Sequence, residues 1–218
     1  MDTLETELGE LRRQVKENEL TQENRQQIER IRRSGILERI PQVGDIAPDF
    51  RLPDSEGNTI CLHEKAKEGP VILSFYRGKW CPFCDLELRA LQRYLTEFSR
   101  YGASLIGISP QRIAFSQLTQ KEKNISFTIV SDAGNQVAQR YSLLLPATPT
   151  METAFRSFGL DLGSMNSDQS FNLPVPGTFV VGQDAKIIFA YANADFTKRA
   201  EPADILAQLM HQWQDRFA

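Results

Sequence analysis

The chain has 218 residues, 41 % of them apolar, and a formal net charge of −3 at pH 7, which suits one domain with a hydrophobic core and an appendage. Acidic and basic residues are mixed, so the composition predicts neither a nucleic-acid-binding surface nor a polyanionic tail. The polar N-terminus and the lack of any run of about eighteen apolar residues argue against a signal peptide and a membrane span, and we expect a cytoplasmic protein.

Residues 1–40 differ from the rest of the chain, because they are rich in Glu, Gln and Arg and contain no aromatic residue. Apolar residues recur in this segment at helical spacing in two groups: Leu4, Leu8, Leu11 and Val15, then Ile28 and Ile31. This pattern predicts two amphipathic helices that end near Gly35. Their apolar stripe is narrow, so we expect it to pack on the main domain or on the second subunit of a homodimer. The alternative is a solvated leader without a partner.

From residue 41 the pattern becomes that of an α/β domain, predicted to cover residues 41–218. A turn at residues 54–58 separates two short strands of a hairpin, and the continuous apolar run at residues 71–76 is typical of a central strand buried on both faces. Further helices are predicted at 82–100, 111–123, 133–142 and 201–217, and further strands at 104–109, 127–130, 178–182 and 186–192. This alternation predicts helices around a mixed sheet.

Residues 143–173 form the least regular part of the sequence, with two prolines, two glycines and a polar stretch. We expect a long loop, and loops of this length are often lids or binding surfaces. A decoration that does not contact substrate is the alternative.

Two cysteines, Cys81 and Cys84, lie between the predicted strand 71–76 and the helix that follows it. A spacing of three residues is about one helical turn, so both sulfurs lie on one side and within range of a disulfide. The free amides of a helix's first turn stabilise a thiolate and lower its pKa. This pattern favours thiol redox chemistry. Half of a zinc site and a pair of buried core thiols are the alternatives.

A zinc site would need two further ligands, and the candidates Cys61, His63 and His211 are poorly spaced for this role. We therefore expect no metal and no cofactor. The apolar setting of Cys61 predicts a small buried hydrophobic residue, and a resolving or intermolecular thiol is the alternative.

Pro176 lies in a Pro-Val-Pro-Gly segment just before a predicted strand. A proline peptide bond at such a place can be cis, and in a thioredoxin-like fold this loop faces the two cysteines. An ordinary trans proline is the alternative.

Three segments, at residues 44–50, 75–84 and 175–181, resemble the peroxiredoxin and alkyl hydroperoxide reductase superfamily. The closest resemblance is to the peroxiredoxin-like subfamily that carries a thioredoxin-type C-x-x-C motif, and it covers roughly residues 42–210. It implies a thioredoxin-like fold, with a mixed central sheet flanked by helices and the N-terminal helical extension outside it.

The resemblance implies that Cys84 is the peroxidatic cysteine and Glu87 the acidic residue that often follows it. Cys81 stands where the family has threonine, Arg77 stands where it has proline, and the arginine expected shortly before the late strand is missing. Threonine and arginine stabilise the departing peroxide oxygen in that family, so their loss predicts a slower reaction. Arg77 is a candidate to restore part of this charge, and a salt-bridged surface arginine is the alternative.

Other residues resemble thioredoxin, in which the first cysteine of the motif attacks disulfides: Trp80, Cys81, Pro82, Cys84 and Pro176. Trp80 would shield the thiols or simply pack against the core.

Three functional hypotheses follow. In the first, Cys84 attacks a hydroperoxide, Cys81 resolves the sulfenic acid to a disulfide, and a thioredoxin-type partner reduces it. In the second, the protein is a dithiol–disulfide oxidoreductase with Cys81 as nucleophile and little peroxidase activity. In the third, it is a redox-sensing module whose N-terminal helices bind a partner.

Overall fold

The computed structural model describes residues 3–215, and its centre is a five-stranded mixed sheet with strand order β5-β4-β3-β6-β7. β3 pairs in parallel with β4 and β4 with β5, whereas β6 runs antiparallel to both β3 and β7. The sheet strands are β3 (Val71–Phe75), β4 (Ser104–Ser109), β5 (Thr128–Ser131), β6 (Gly177–Val181) and β7 (Ile187–Ala192).

β3 lies in the middle of the sheet, and all its residues are buried. Ile72 belongs to the core on one face, while Val71 and Leu73 belong to the core on the other. Burial on both faces explains the continuous apolar run, because successive side chains of a strand point to opposite sides.

A two-stranded hairpin of β1 (Arg51–Pro53) and β2 (Thr59–Cys61) precedes the sheet. The helices are α1 (Leu4–Gln14), α2 (Glu19–Ser34), α3 (Leu62–Glu68), α4 (Pro82–Arg100), α5 (Ile113–Lys123), α6 (Gln136–Arg140), α7 (Pro149–Ser157), α8 (Leu162–Met165) and α9 (Pro202–Asp215). Among residues 3–215 no helix has the length and apolar character needed to cross a membrane.

The two N-terminal helices pack on different parts of the domain. Leu4 and Leu8 of α1 are buried in the core that includes the apolar face of α4. The Glu201 carboxylate accepts hydrogen bonds from the backbone N–H groups of Leu4 and Glu5 at 3.2 and 2.6 Å, a favourable arrangement for a helix N-terminus. Ile31 of α2 is buried in the core on the opposite face. Most of the apolar stripe of the extension therefore packs within the chain, whereas Val15 is 46 % exposed.

The prediction of a long irregular loop at residues 143–173 was wrong in part, because α7 and α8 lie within it. Thr148 caps α7 by accepting a hydrogen bond from the Met151 N–H at 3.2 Å, and Pro149 occupies its first turn, where a missing N–H costs little. A small core holds the segment together: Met151, Phe155, Leu162, Phe171 and Leu173.

Candidate active site

The two thiols lie where β3 passes into α4. Cys81 is the N-cap residue of α4, Pro82 follows in its first turn, and both cysteines are buried and reduced. The Cys81 N–H donates to the Gly78 carbonyl at 3.1 Å, closing the turn that presents the motif. Gly78 has a φ of +143°, and a Cβ there would lie 2.8 Å from Trp80 Nε1, so this turn requires glycine.

Two donors reach the Cys84 sulfur. The backbone N–H of Arg77 and Nη2 of Arg199 each lie 3.4 Å from Sγ. Arg199 lies after β7 and only 6 % of it is exposed. The segment before the late strand has no arginine, as the sequence indicates, but a guanidinium reaches the Cys84 sulfur from the segment that follows the late hairpin. No local sequence motif marks this residue.

Glu87 holds Arg199 in place. The two side chains form a buried ion pair and are 2 % and 1 % exposed. The Glu87 carboxylate also accepts hydrogen bonds from Ser74 Oγ at 3.5 Å and Thr178 Oγ1 at 3.4 Å. Burial raises the pKa of Glu87 although the Arg199 charge opposes the shift. Glu87 thus acts on Cys84 through Arg199.

Arg77 is buried, which contradicts the alternative of a salt-bridged surface residue. Its guanidinium carbon lies 4.1 Å from the ring centroid of Phe196 and 4.9 Å from that of Trp80, distances that suit cation–π contact. Nη2 donates to Asn24 Oδ1 of α2 at 3.4 Å. Within residues 3–215 no carboxylate forms an ion pair with Arg77, and burial lowers its pKa.

The pKa values of the two buried thiols are shifted in opposite directions. Burial opposes ionisation of Cys81, but a hydrogen bond with Cys84 and the positive charges of Arg77 and Arg199 lower the pKa of Cys81 to about 6. Burial and the adjacent Cys81 raise the pKa of Cys84 well above its ordinary value. The two shifts have opposite directions, so the surroundings of the pair favour a thiolate on Cys81 over one on Cys84.

A cavity of about 480 Å³ opens beside the motif. Cys81, Trp80 and Pro82 line one side of it, whereas Cys84 is not part of its lining. Trp80 packs edge-on against Phe155 of α7, with 5.3 Å between ring centroids. The segment after Pro149 thus supports the wall next to the thiols.

Pro176 lines a separate small cavity together with Arg77, so it lies near the site. Its peptide bond is trans, since no peptide bond is cis among the residues that the structure describes. The possibility of a cis proline was therefore not realised.

The third cysteine, Cys61, ends β2 and is buried, with its sulfur 3.7 Å from Asp49 Oδ2. His63 makes a 2.8 Å hydrogen bond with the Ala47 carbonyl through Nε2. In the described part of the chain, no group of three or more His, Cys, Asp or Glu side chains is placed to hold a metal ion.

The family profile of AhpC/TSA proteins matches residues 43–190. The chain belongs to the AhpC/TSA family. Peroxiredoxin Q from the chloroplast of Triticum aestivum is 33 % identical over 100 residues, 46 % of each chain, and that of Sedum lineare is 29 % identical over 126 residues, 56 % of this chain and 67 % of the relative. The chain thus spans about half the length of the first of these relatives.

Solved structures support the thioredoxin-like fold of this AhpC/TSA protein. Peroxidoxin BcpB from Mycobacterium tuberculosis has a TM-score of 0.62 and 23 % identity, and the match covers 78 % of this chain and 97 % of that one. The bacterioferritin comigratory protein of Xanthomonas campestris has a TM-score of 0.59 and 16 % identity, covering 79 % and 98 %. The predicted family resemblance and α/β fold class are confirmed.

Most of the residues singled out in the sequence of this AhpC/TSA protein meet in space. Cys81, Cys84, Glu87, Arg77 and Trp80 form one cluster around the start of α4. The residues that sequence reasoning missed are Arg199, on the Cys84 sulfur, and Asn24, on the Arg77 guanidinium.

Proposed function

We propose that the protein is a thiol-dependent hydroperoxide reductase in which Cys84 attacks the peroxide and Cys81 resolves the product to a disulfide. The observation that carries this proposal is the pair of donors on the Cys84 sulfur, the Arg199 guanidinium and the Arg77 amide. Donors fixed beside the sulfur stabilise its thiolate, and because they adjoin the reacting atom we propose that they also stabilise the charge that develops on oxygen as the O–O bond breaks.

The first step begins with transfer of the Cys84 proton to the Cys81 thiolate through the hydrogen bond between them. The Cys84 thiolate attacks the terminal peroxide oxygen and the O–O bond breaks. Sulfur is oxidised to a sulfenic acid, and the departing alkoxide leaves as an alcohol with the proton from Cys81. In this scheme Cys81 takes over a donor role from the threonine that it replaces.

In the second step the regenerated Cys81 thiolate attacks the Cys84 sulfur. A disulfide forms and the sulfenic oxygen leaves as water, with one proton from solvent. The disulfide then accepts two electrons by exchange with an external dithiol, for which we propose a thioredoxin-type partner.

The test is peroxide consumption by the reduced protein and its cysteine variants, with mass spectrometry of the oxidised sulfur. We expect Cys84→Ser to abolish turnover, Cys81→Ser to accumulate a sulfenic acid on Cys84, and Cys61→Ser, the matched control, to react like the wild type. Unchanged turnover in Cys84→Ser would sink the proposal.

A second candidate is a dithiol–disulfide oxidoreductase with Cys81 as nucleophile. It is favoured by the lowered pKa of Cys81 and by the position of this thiol, and not of Cys84, in the wall of the larger cavity. Reduction of insulin that is lost in Cys81→Ser, together with a trapped Cys81 mixed disulfide in Cys84→Ser and peroxide oxidation no faster than that of a free thiol, would establish it.

We also propose that residues 1–40 form a helical extension and residues 41–218 the catalytic domain. We further propose that the protein is cytoplasmic.

The helical extension can bury its apolar residues without a second subunit, because Leu4, Leu8 and Ile31 are already buried against its own domain. Sedimentation of the reduced protein measures its oligomeric state, and we expect a monomer.

A further inference from the structure

Among the residues that the structure describes, Arg77 is a buried cation without a carboxylate partner. Only 4 % of it is exposed, and the charged groups that act on its guanidinium are Cys81 and Cys84 of α4 and Arg199 after β7. Arg199 is itself a cation and pairs with Glu87. A negative charge on the thiol pair is therefore what balances Arg77.

The other charged side chains near Arg77 have partners of their own. Asp195 lines the same cavity, but its Oδ1 accepts hydrogen bonds from the Thr197 backbone N–H at 3.0 Å and from Thr197 Oγ1 at 2.8 Å. Two more arginines line this cavity and pair with acids of the N-terminal extension: Arg12 with Glu5 and Arg25 with Glu17. The charge of Arg77 thus stays available to the thiols.

The directional contact on the Arg77 guanidinium comes from α2. Phe196 and Trp80 hold it by cation–π contact at 4.1 and 4.9 Å, but a ring face offers no acceptor that fixes the direction of the five N–H groups. Asn24 Oδ1 supplies one, and accepts a hydrogen bond from Nη2 at 3.4 Å. Asn24 therefore orients the cation that the rings hold.

α2 is fixed to the domain on both sides of Asn24. Thr150 Oγ1 donates to Glu23 Oε2 at 3.1 Å. Gln27 Nε2 donates to the Leu145 carbonyl at 3.4 Å. Both contacts lie within one helical turn of Asn24, so they hold its amide in a set position.

A neutral acceptor suits this role. An amide oxygen orients a guanidinium without cancelling its charge, whereas a carboxylate would pair with the guanidinium and offset that charge. A cation near a thiol favours the thiolate, and Arg77 acts on Cys81 in this way.

We propose that Asn24 is a positioning residue of the active site, whose amide holds the Arg77 guanidinium beside the thiol pair and so helps to set the reactivity of Cys81. Asn24 acts through Arg77 and not on the sulfurs themselves. The inference rests on the proposed redox role of the thiol pair, and it applies to both candidate functions because it concerns the reduced cysteines alone.

The experiment measures alkylation of Cys81 by iodoacetamide against pH in the reduced full-length protein, with mass spectrometry to assign the alkylated sulfur. Asn24→Asp keeps the side-chain size but adds a carboxylate that pairs with Arg77, so we expect the midpoint of the alkylation profile to rise by about one pH unit. Gln26→Glu is the matched control, because it adds the same charge at an exposed position of α2, where salt screens it. It should leave the midpoint unchanged.

Asn24→Leu tests the path through Arg77. Loss of the acceptor frees the guanidinium, and we expect the midpoint to rise by about half a pH unit. In an Arg77→Met background the same change should have no further effect, because the residue through which Asn24 acts is gone.

These outcomes separate positioning from packing. A purely structural Asn24 would lower stability in urea unfolding when leucine replaces it, but would not move the midpoint of Cys81 alkylation. The inference is overturned when either Asn24 variant fails to raise the midpoint, when Gln26→Glu raises it as much as Asn24→Asp, or when Asn24→Leu raises it equally with and without Arg77. Since alkylation requires no turnover, such a failure is distinct from failure of the peroxidase proposal, which the peroxide assay of Cys84→Ser detects.

Discussion

Arg199 contacts both the Cys84 sulfur and the Glu87 carboxylate, so replacing it with methionine tests the site in two ways. The first test measures the free energy of unfolding. Arg199→Met leaves a carboxylate that is 2 % exposed with only the hydroxyls of Ser74 and Thr178 as partners, and breaking a buried ion pair in this way costs about 3–5 kcal/mol.

The stability loss should depend on pH. Without the guanidinium the pKa of Glu87, already raised by burial, rises further in the folded state. The folded state then binds more protons than the unfolded state, so stability falls as pH rises between the unfolded and folded pKa values. Urea unfolding should show a smaller defect at about pH 5 than at about pH 8.

The second readout is the rate of peroxide reduction. Removal of one donor from a preorganised site of this kind typically costs about 10²–10³ in rate, so we expect this loss in stopped-flow oxidation of reduced Arg199→Met. Arg100→Met, which removes an exposed pair with Glu97, is the matched control and should behave like the wild type in both assays.

The double variant Arg199→Met/Glu87→Leu separates the two effects. An apolar pair in place of a buried ion pair is often neutral or stabilising, so stability should recover while the rate stays low. A folded Arg199→Met protein that reacts within about threefold of the wild type would refute the donor role that we assign to Arg199.

Further predictions concern the motif and its surroundings. Alkylation of Cys81 by iodoacetamide should fall as pH falls through about 6, because the thiolate is lost below its pKa, and a midpoint of alkylation near that of a free thiol would contradict the assignment. Arg77→Met should move this midpoint upward, since it removes a charge that stabilises the thiolate. Gly78→Ala should destabilise the protein by about 1–3 kcal/mol in urea unfolding, because its φ of +143° is strained for a residue with a Cβ. Phe155→Ala should cost about 3–5 kcal/mol and weaken the support of Trp80, whose fluorescence should change; an unaltered spectrum would count against that contact.

Local sequence patterns were enough to predict most of the strands and helices and the C-x-x-C motif. The buried run at 71–75 has no alternation of polar residues, so it predicts a strand covered on both faces, and the C-x-x-C spacing follows from the geometry of a single helical turn. The helices within residues 143–173 were harder to predict from the sequence. α7 and α8 are short, and their stability comes from the small core around Phe155 and not from local helix propensity.

Which residues come together at the site depends on tertiary contacts. Arg199 and Cys84 are 115 positions apart, and Asn24 and Arg77 are 53 apart, distances at which periodicity and spacing carry no information. The sequence by itself determined a strand–helix junction with two thiols, because those features arise from neighbouring residues, and its resemblance to a known family implied the thioredoxin-like fold. Only the packing of α2 and of the segment after β7 onto that junction decided which charged groups lie near the sulfurs and which side chains line the cavity beside Cys81, because those groups come from opposite ends of the chain.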